Sequence, residues 1–185
     1  MWFRSNFAAV LRAARNGEEW AWRALYTEHA PALLGYLRAR RADQPEDLLG
    51  EVMLQVVRDL PTFDGGKPQF RAWAFTIAHH RLLDEARRAA RRPAEPMPAP
   101  ELERLGPLGD AEEDALRALS AERVGHLLAQ LSPDQQNVVL LRVLGELTVE
   151  QVADVMGKSP GAVKALQRRG LETIRSELGS ERVTL

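Results

Sequence analysis

A chain of 185 residues that is 45% hydrophobic and 28% charged, with a formal charge of -1, has room for one globular domain or two small ones. The absence of cysteine excludes disulfides and thiolate metal sites and suits a reducing cytosol, and His29, His79, His80 and His126 show no metal-ligand spacing. No apolar run is long enough to cross a membrane, and the opening MWFRSNFAAVLRAARNGEEW lacks a signal peptide's continuous apolar core, so the expectation is a cytoplasmic chain with no membrane insertion and no cofactor.

The periodicity predicts a first amphipathic helix over Phe3 to Arg15, with Phe7, Val10 and Leu11 as its apolar stripe. Asn16 with Glu19 can cap a second, which carries Trp20, Trp22, Leu25 and Tyr26. Pro31 is expected to start or kink a further segment that runs to about Arg41. Pro45 suits the start of the next helix, with Glu46 and Asp47 in its first turn. Leu49, Val52, Val56 and Leu60 form its buried stripe, while Asp47, Glu51, Leu54 and Arg58 share an outward face. Such a mixed face suits a partner helix, although a solvated surface is the commoner meaning of the same pattern.

PTFDGGKPQ, residues 61–69, reads as a turn-rich loop. Phe70 to Arg91 reads as a long helix carrying Trp73, Ile77, Leu82 and Leu83 and ending in the basic run ARRAARR. Aromatics beside a basic helix hold single-stranded bases by stacking and phosphate attraction. Core packing is the competing explanation for Phe63, Phe70 and Trp73. RPAEPMPAPELERLGPLGD, residues 92–110, is rich in Pro and Gly without periodicity and reads as a flexible linker. Beyond it, Glu112 to Leu131 reads as a helix with Leu116, Leu119, Val124, Leu127, Leu128 and Leu131. Ser132 to Gln135 is a capping box that opens a helix to about Leu144, with Val138, Val139, Leu141 and Val143, and Gly145 stops it. The expected fold class is all-α, with domains at 1–92 and 112–185 and a Pro-rich linker at 93–111.

Thr148 to Arg175 carries the most specific local pattern. Thr148 and Gln151 form a second capping box, Val152, Val155 and Met156 give a short apolar face, and Ala153 permits a close helix crossing. Gly157 suits a sharp turn; Ser159 and Pro160 open the next helix. Val163, Leu166, Gly170 and Ile174 face inward, while Gly161, Lys164, Ala165 and Arg168 fall opposite. That is the layout of a helix-turn-helix whose second helix enters the major groove; an ordinary helical hairpin with a basic face is the blander alternative. The small net charge hides segregation. Residues 80–92 hold five Arg against Asp84 and Glu85, and residues 158–175 hold two Lys and three Arg against Glu172. Residues 95–114 hold seven acids against Arg104. Two basic patches thus flank an acidic connector, and the local field governs phosphate binding.

Four stretches together carry a family resemblance: PEDLLGEVMLQVVRDLPTFD, FRAWAFTIAHHRLLDEARRAARR, LSPDQQNVVLLRVLGELTVEQVADVMG and SPGAVKALQRR. In this order the chain resembles a bacterial RNA polymerase sigma factor of the extracytoplasmic-function (ECF) group, from about Trp20 to Arg175 with the linker left out. The resemblance implies that Asp47, Leu48 and Glu51 bind core RNA polymerase. It implies that Phe63, Asp64, Trp73, His80, Asp84, Arg87, Arg88 and Arg91, with Arg92, melt and read the -10 strand of promoter DNA. Ser159, Lys164, Ala165, Arg168 and Arg169 match the helix that reads the -35 duplex. An anti-sigma factor is the partner implied for regulation, and the linker would thread toward the polymerase active-site channel. Gly50 and His80 depart from the family's usual Gln and Asn, and Ala165 offers only apolar readout, as against a thymine methyl. Nothing resembles a nucleophile–base pair, so no enzyme is expected. The competing functions are a stand-alone duplex-binding regulator, opposed by the face at Asp47 and the aromatic-basic helix, and a helical adaptor, opposed by the two basic patches.

Overall fold

The computed structural model describes residues 7–91 and 122–181, with the side chains of 180 and 181 left aside, and every described element is helical. The linker at 93–111, Arg92, the first turns of the helix expected from Glu112 with Leu116 and Leu119, and the ends at 1–6 and 182–185 lie outside the described residues.

Helix α1 spans Phe7–Arg15 and buries Phe7, Val10 and Leu11. The stop after it differs from the Asn16 cap expected. Gly17 adopts φ +80°, and the Gly17 and Glu18 amides bond the carbonyls of Ala14 and Ala13, closing α1 from its C-terminal side. Helix α2, Glu19–Ala39, has Glu18 at its N-cap without a side-chain cap bond. It continues through Pro31 as one helix, where the start of a further segment, or a kink, was expected. Pro31 and Thr27, whose carbonyl loses its i+4 partner, are both exposed, so water can serve that carbonyl. A proline inside a helix costs about 3 kcal/mol. Full burial of Leu25, Leu33 and Leu37 offsets it at about 1.5–3 kcal/mol each.

Helix α3, Pro45–Asp59, starts on its proline and buries Leu48, Leu49, Val52 and Val56. A single 3-10 turn, Leu60–Thr62, leads to the loop at 63–66. Helix α4, Lys67–Arg91, begins three residues earlier than expected. Its buried residues are Phe70, Ala74, Phe75, Ala78 and His79, whereas Leu83 is exposed. The small alanines let α4 lie close against α2 and α3, a reason that periodicity of large residues does not convey.

In the C-terminal half, α5 covers 122–129, α6 Pro133–Val143, α7 Val149–Met156 and α8 Pro160–Glu181. Both expected capping boxes form, Ser132 with Gln135 and Thr148 with Gln151. Of the apolar residues of α6, Val143 is exposed, while Leu140 is buried beside Val138, Val139 and Leu141.

The two halves touch. Helix α7 packs on α4, and α6 on α2. The Tyr36 hydroxyl lies 2.8 Å from Nδ1 of His79 and 3.3 Å from Oδ1 of Asn137, to which it can donate. Arg40 donates to Gln136, Arg71 pairs with Glu146, and Gln151 Nε2 donates to the Pro68 carbonyl at 3.4 Å. This seam is polar, unlike the apolar core inside each half. Among the described residues no helix is long and apolar enough to cross a membrane.

One stability prediction arises here. Gly50 lies exposed inside α3, and a Cβ built on it meets nothing within 4 Å. Gly50→Ala is therefore expected to stabilise the fold by about 0.8–1 kcal/mol, the helix-propensity difference, read as a higher urea midpoint at unchanged slope. A lower midpoint would mean that the glycine is needed for a reason other than backbone freedom.

Candidate nucleic-acid interface

The C-terminal face is built on the α7–α8 corner. Gly157 ends α7 in the left-handed conformation at φ +61°, with the Lys158 amide on the Ala153 carbonyl at 2.9 Å. The Ser159 hydroxyl accepts from the Ala162 amide at 3.2 Å, so α8 opens on the expected cap and Pro160. Val163 is fully buried, and a Cβ on Gly170 would lie 3.3 Å from Val139 Cγ2, which keeps α8 close to α6. That packing turns Ser159, Lys164, Arg168 and Arg169 to solvent, with Ala165 half-buried between them. Arg142 donates to the Leu147 carbonyl, bracing the turn before α7, and Lys158 pairs with Asp134 at 2.9 Å. The start of α8 thus presents Ser159, Gly161 and Lys164 on one exposed surface suited to phosphates and base edges.

The N-terminal face is built on α4 and the loop before it. Phe63 and Trp73 stack at 4.8 Å with an interplanar angle of 26°, and both pack on Phe70 at 5.6 Å. Phe70 is buried; Phe63 and Trp73 are half-buried, so each serves the core and keeps one side open. Asp64 is exposed beside them. Arg15 holds the loop by donating to the carbonyls of Phe63 and Leu60. Gly65 has φ +152°, and a Cβ there would lie 2.8 Å from Gln69 Cβ, so only glycine fits. Gln69 Oε1 accepts from the Gly66 amide at 3.2 Å. Arg15 and Gln69 were not expected at this site. Gln69 stands three residues after Gly66, the same spacing as a capping box, and that signal could have found it. No sequence signal marks Arg15.

Further along α4, His80, Asp84, Arg87, Arg88 and Arg91 are all exposed. Asp84 pairs with Arg87 at 3.0 Å, and its carbonyl accepts from Arg88 Nε at 3.4 Å, so Asp84 orders two cations. His79 points inward, separating its role from that of His80.

Helix α3 presents Asp47 and Glu51 to solvent together with Leu54, 65% exposed, and Val57. Leu48, expected on this face, is 4% exposed and belongs to the core. The helix turn explains the correction: Leu48 shares the Val52 and Val56 stripe at i, i+4 and i+8. Arg81 donates to Gln55 at 2.7 Å and lies 3.5 Å from Glu51, tying α4 to this face. The Arg38 guanidinium beside Glu46 holds that carboxyl below the usual range, so the rim of α3 stays anionic.

The arrangement has two separate exposed surfaces with the chemistry nucleic acid would need, one shaped like a groove reader and one like an aromatic platform with a basic extension. Comparison with known proteins bears on both. The Sigma-70 region 2 family matches residues 25–92, and the Sigma-70 region 4 family matches residues 121–174. The ECF RNA polymerase sigma factor ShbA of Streptomyces griseus is 35% identical over 182 residues, covering 91% of this chain and 93% of that protein. The ECF RNA polymerase sigma factor SigD of Mycobacterium tuberculosis is 32% identical over 180 residues, covering 92% and 82%. Among solved structures, CnrH in complex with the cytosolic domain of CnrY has a TM-score of 0.68 at 23% identity, covering 94% of this chain and 97% of that one, a likeness of fold.

Proposed function

The chain belongs to the RNA polymerase sigma factors of the ECF group, and from that premise we propose that its two exposed basic surfaces divide promoter recognition between duplex and single strand. As a sigma factor it is not an enzyme; it gives core polymerase its promoter specificity. The proposal takes the half at 1–92 as the polymerase- and -10-binding domain, 93–111 as the linker, and 112–185 as the -35-binding domain. On this reading the protein works in the cytoplasm, where polymerase and promoters are.

Helix α8 reads the -35 duplex through Lys164, Ala165, Arg168 and Arg169, with Ser159 at the phosphates. The pair Phe63 and Trp73 receives unpaired -10 bases, with Asp64 at the loop edge and His80, Asp84, Arg87, Arg88 and Arg91 along the strand. The observation that carries this division is the Phe63–Trp73 stack, half-open beside an exposed basic helix, in the same chain as an exposed groove helix. A stand-alone duplex regulator needs only the second of these. Asp47, Glu51 and the exposed Leu54 supply the polymerase contact. An anti-sigma factor is the expected negative regulator, and exposed Leu54, Val57, Leu171 and Leu178 offer it apolar contact surface.

Multi-round transcription from a genomic library, with core polymerase alone and with the protein added, tests the function. Starts that appear only with the protein and share two spaced motifs are expected; duplex binding without new starts would favour the stand-alone regulator. Asp47→Arg with Glu51→Arg reverses two charges on an exposed face and should weaken co-purification with core polymerase at least tenfold; undiminished co-purification removes that face from the contact. Trp73→Ala removes one stacking partner, worth about 1–3 kcal/mol per base. It should reduce permanganate reactivity of the -10 strand while closed-complex binding holds, and wild-type reactivity would count against the aromatic platform.

A further inference from the structure

Glu172 is the acid that stands out on α8. At about 100° per residue, it lies within about 20° of both Gly161 and Ala165 and about 180° from Val163, which is fully buried. It therefore occupies the middle of the face opposite the core, among Lys164, Arg168, Arg169 and Arg175. Packing gives it no role there. On a surface that meets phosphates, a free carboxylate repels and lowers affinity for every sequence.

Its contact suggests what it does. The Glu172 carboxylate lies 3.0 Å from a terminal nitrogen of Arg168, an i, i+4 pair with both side chains largely exposed. In solvent such a pair contributes little to stability. A guanidinium has five N–H groups in a rigid fork, so one bond to Glu172 leaves an edge free for the two acceptors of a guanine. While the pair is made, the arginine is biased toward one rotamer before it reaches DNA and is less able to swing to the nearest phosphate.

We propose that Glu172 is a positioning residue for specificity: it holds Arg168 edge-on to a guanine in the -35 duplex, raising base discrimination while lowering sequence-independent affinity. The proposal rests on the reading of α8 as the -35 helix, and the test separates the two.

The full chain, bound to core polymerase, is used to transcribe a library randomised across the upstream duplex, and active templates are sequenced. Wild type is compared with Glu172→Ala and Glu172→Gln. For the alanine variant, preference at one guanine position is expected to fall about twofold, with the other positions kept. Its retention on promoter-free duplex should rise severalfold as a repulsive charge is lost. Glutamine keeps one acceptor oxygen and should restore part of the discrimination without restoring the charge. Unchanged preference at every position in the alanine variant overturns the proposal, as does an equal loss at all positions, which a merely structural role would produce. A wild-type protein that selects no upstream motif overturns the reading of α8 itself, and this proposal with it.

Discussion

Lys164→Ala combined with Arg168→Ala is expected to abolish -35-dependent transcription while leaving polymerase binding at its wild-type level. Both side chains stand on the exposed side of α8, and neither packs in the core. Each good contact to a base edge contributes about 1–3 kcal/mol of discrimination, so losing two corresponds to roughly 30- to 20,000-fold. The fold should survive, because alanine favours helix and Arg168 gives up only its solvent-exposed pair with Glu172. Polymerase binding should survive because the α3 face with Asp47 and Glu51 belongs to the other half of the molecule. The measurements are run-off transcription from a promoter with and without its upstream element, and co-purification with core enzyme. Equal promoter activity in the double variant would exclude α8 as the recognition helix. Loss of both activities together would point instead to a folding defect.

Acid should destabilise the protein well before its carboxylates titrate. His29 is 3% exposed and His79 5%. Burial pushes each ring from the ordinary 6.5 down to about 4, so both are neutral at pH 7. His29 lies against Phe70 at 5.0 Å with Nε2 lacking a hydrogen-bond partner, and His79 bonds the Tyr36 hydroxyl. In the unfolded chain the same rings take up protons near pH 6.5. The unfolded state thus binds more protons than the folded state between pH 6.5 and 4, and stability falls as pH drops through that window. At pH 5 the loss is about 2 kcal/mol for each ring, rising to about 3 kcal/mol each near pH 4, where it levels off. Urea unfolding at pH 7 and pH 5 measures it while most carboxylates stay ionised. His29→Leu, which fills a similar volume and removes the unpartnered nitrogen, should cut the difference by about half. A chain as stable at pH 5 as at pH 7 would mean that these rings take up protons in the folded state.

How much of this was legible beforehand depends on the range of the physics at each place. The capping boxes at Ser132 and Thr148, the left-handed Gly157 and the Ser159 cap are local hydrogen-bond arrangements, and each formed where the residues predicted it. The outward set on α8 followed from periodicity alone, because the core lies on one side of that helix. The misreadings share one cause. Pro31 suggested the start of a further segment or a kink, but α2 continues through it as one helix, with buried residues on both sides packed on elements distant in sequence. Leu48 was assigned to the polymerase face by resemblance, and the direction of the neighbouring helices put it inside. Arg15 reaches the Phe63 carbonyl across 48 positions, a separation at which composition and spacing carry no signal.

By itself the sequence determined most of the helices, the caps at Ser132, Thr148 and Ser159, the two basic faces and the sigma-factor membership, because backbone hydrogen bonding, helical periodicity and charge are properties of neighbours along the chain. The tertiary structure alone decided which aromatics stack, which histidine is buried and where the two halves meet. The Phe63–Trp73 stack, the burial of His79 beside exposed His80, and the seam of Tyr36, His79 and Asn137 each depend on how far apart two packed elements lie. That distance is set by the summed packing of many side chains from elements far apart in sequence, and no single stretch of the chain contains it.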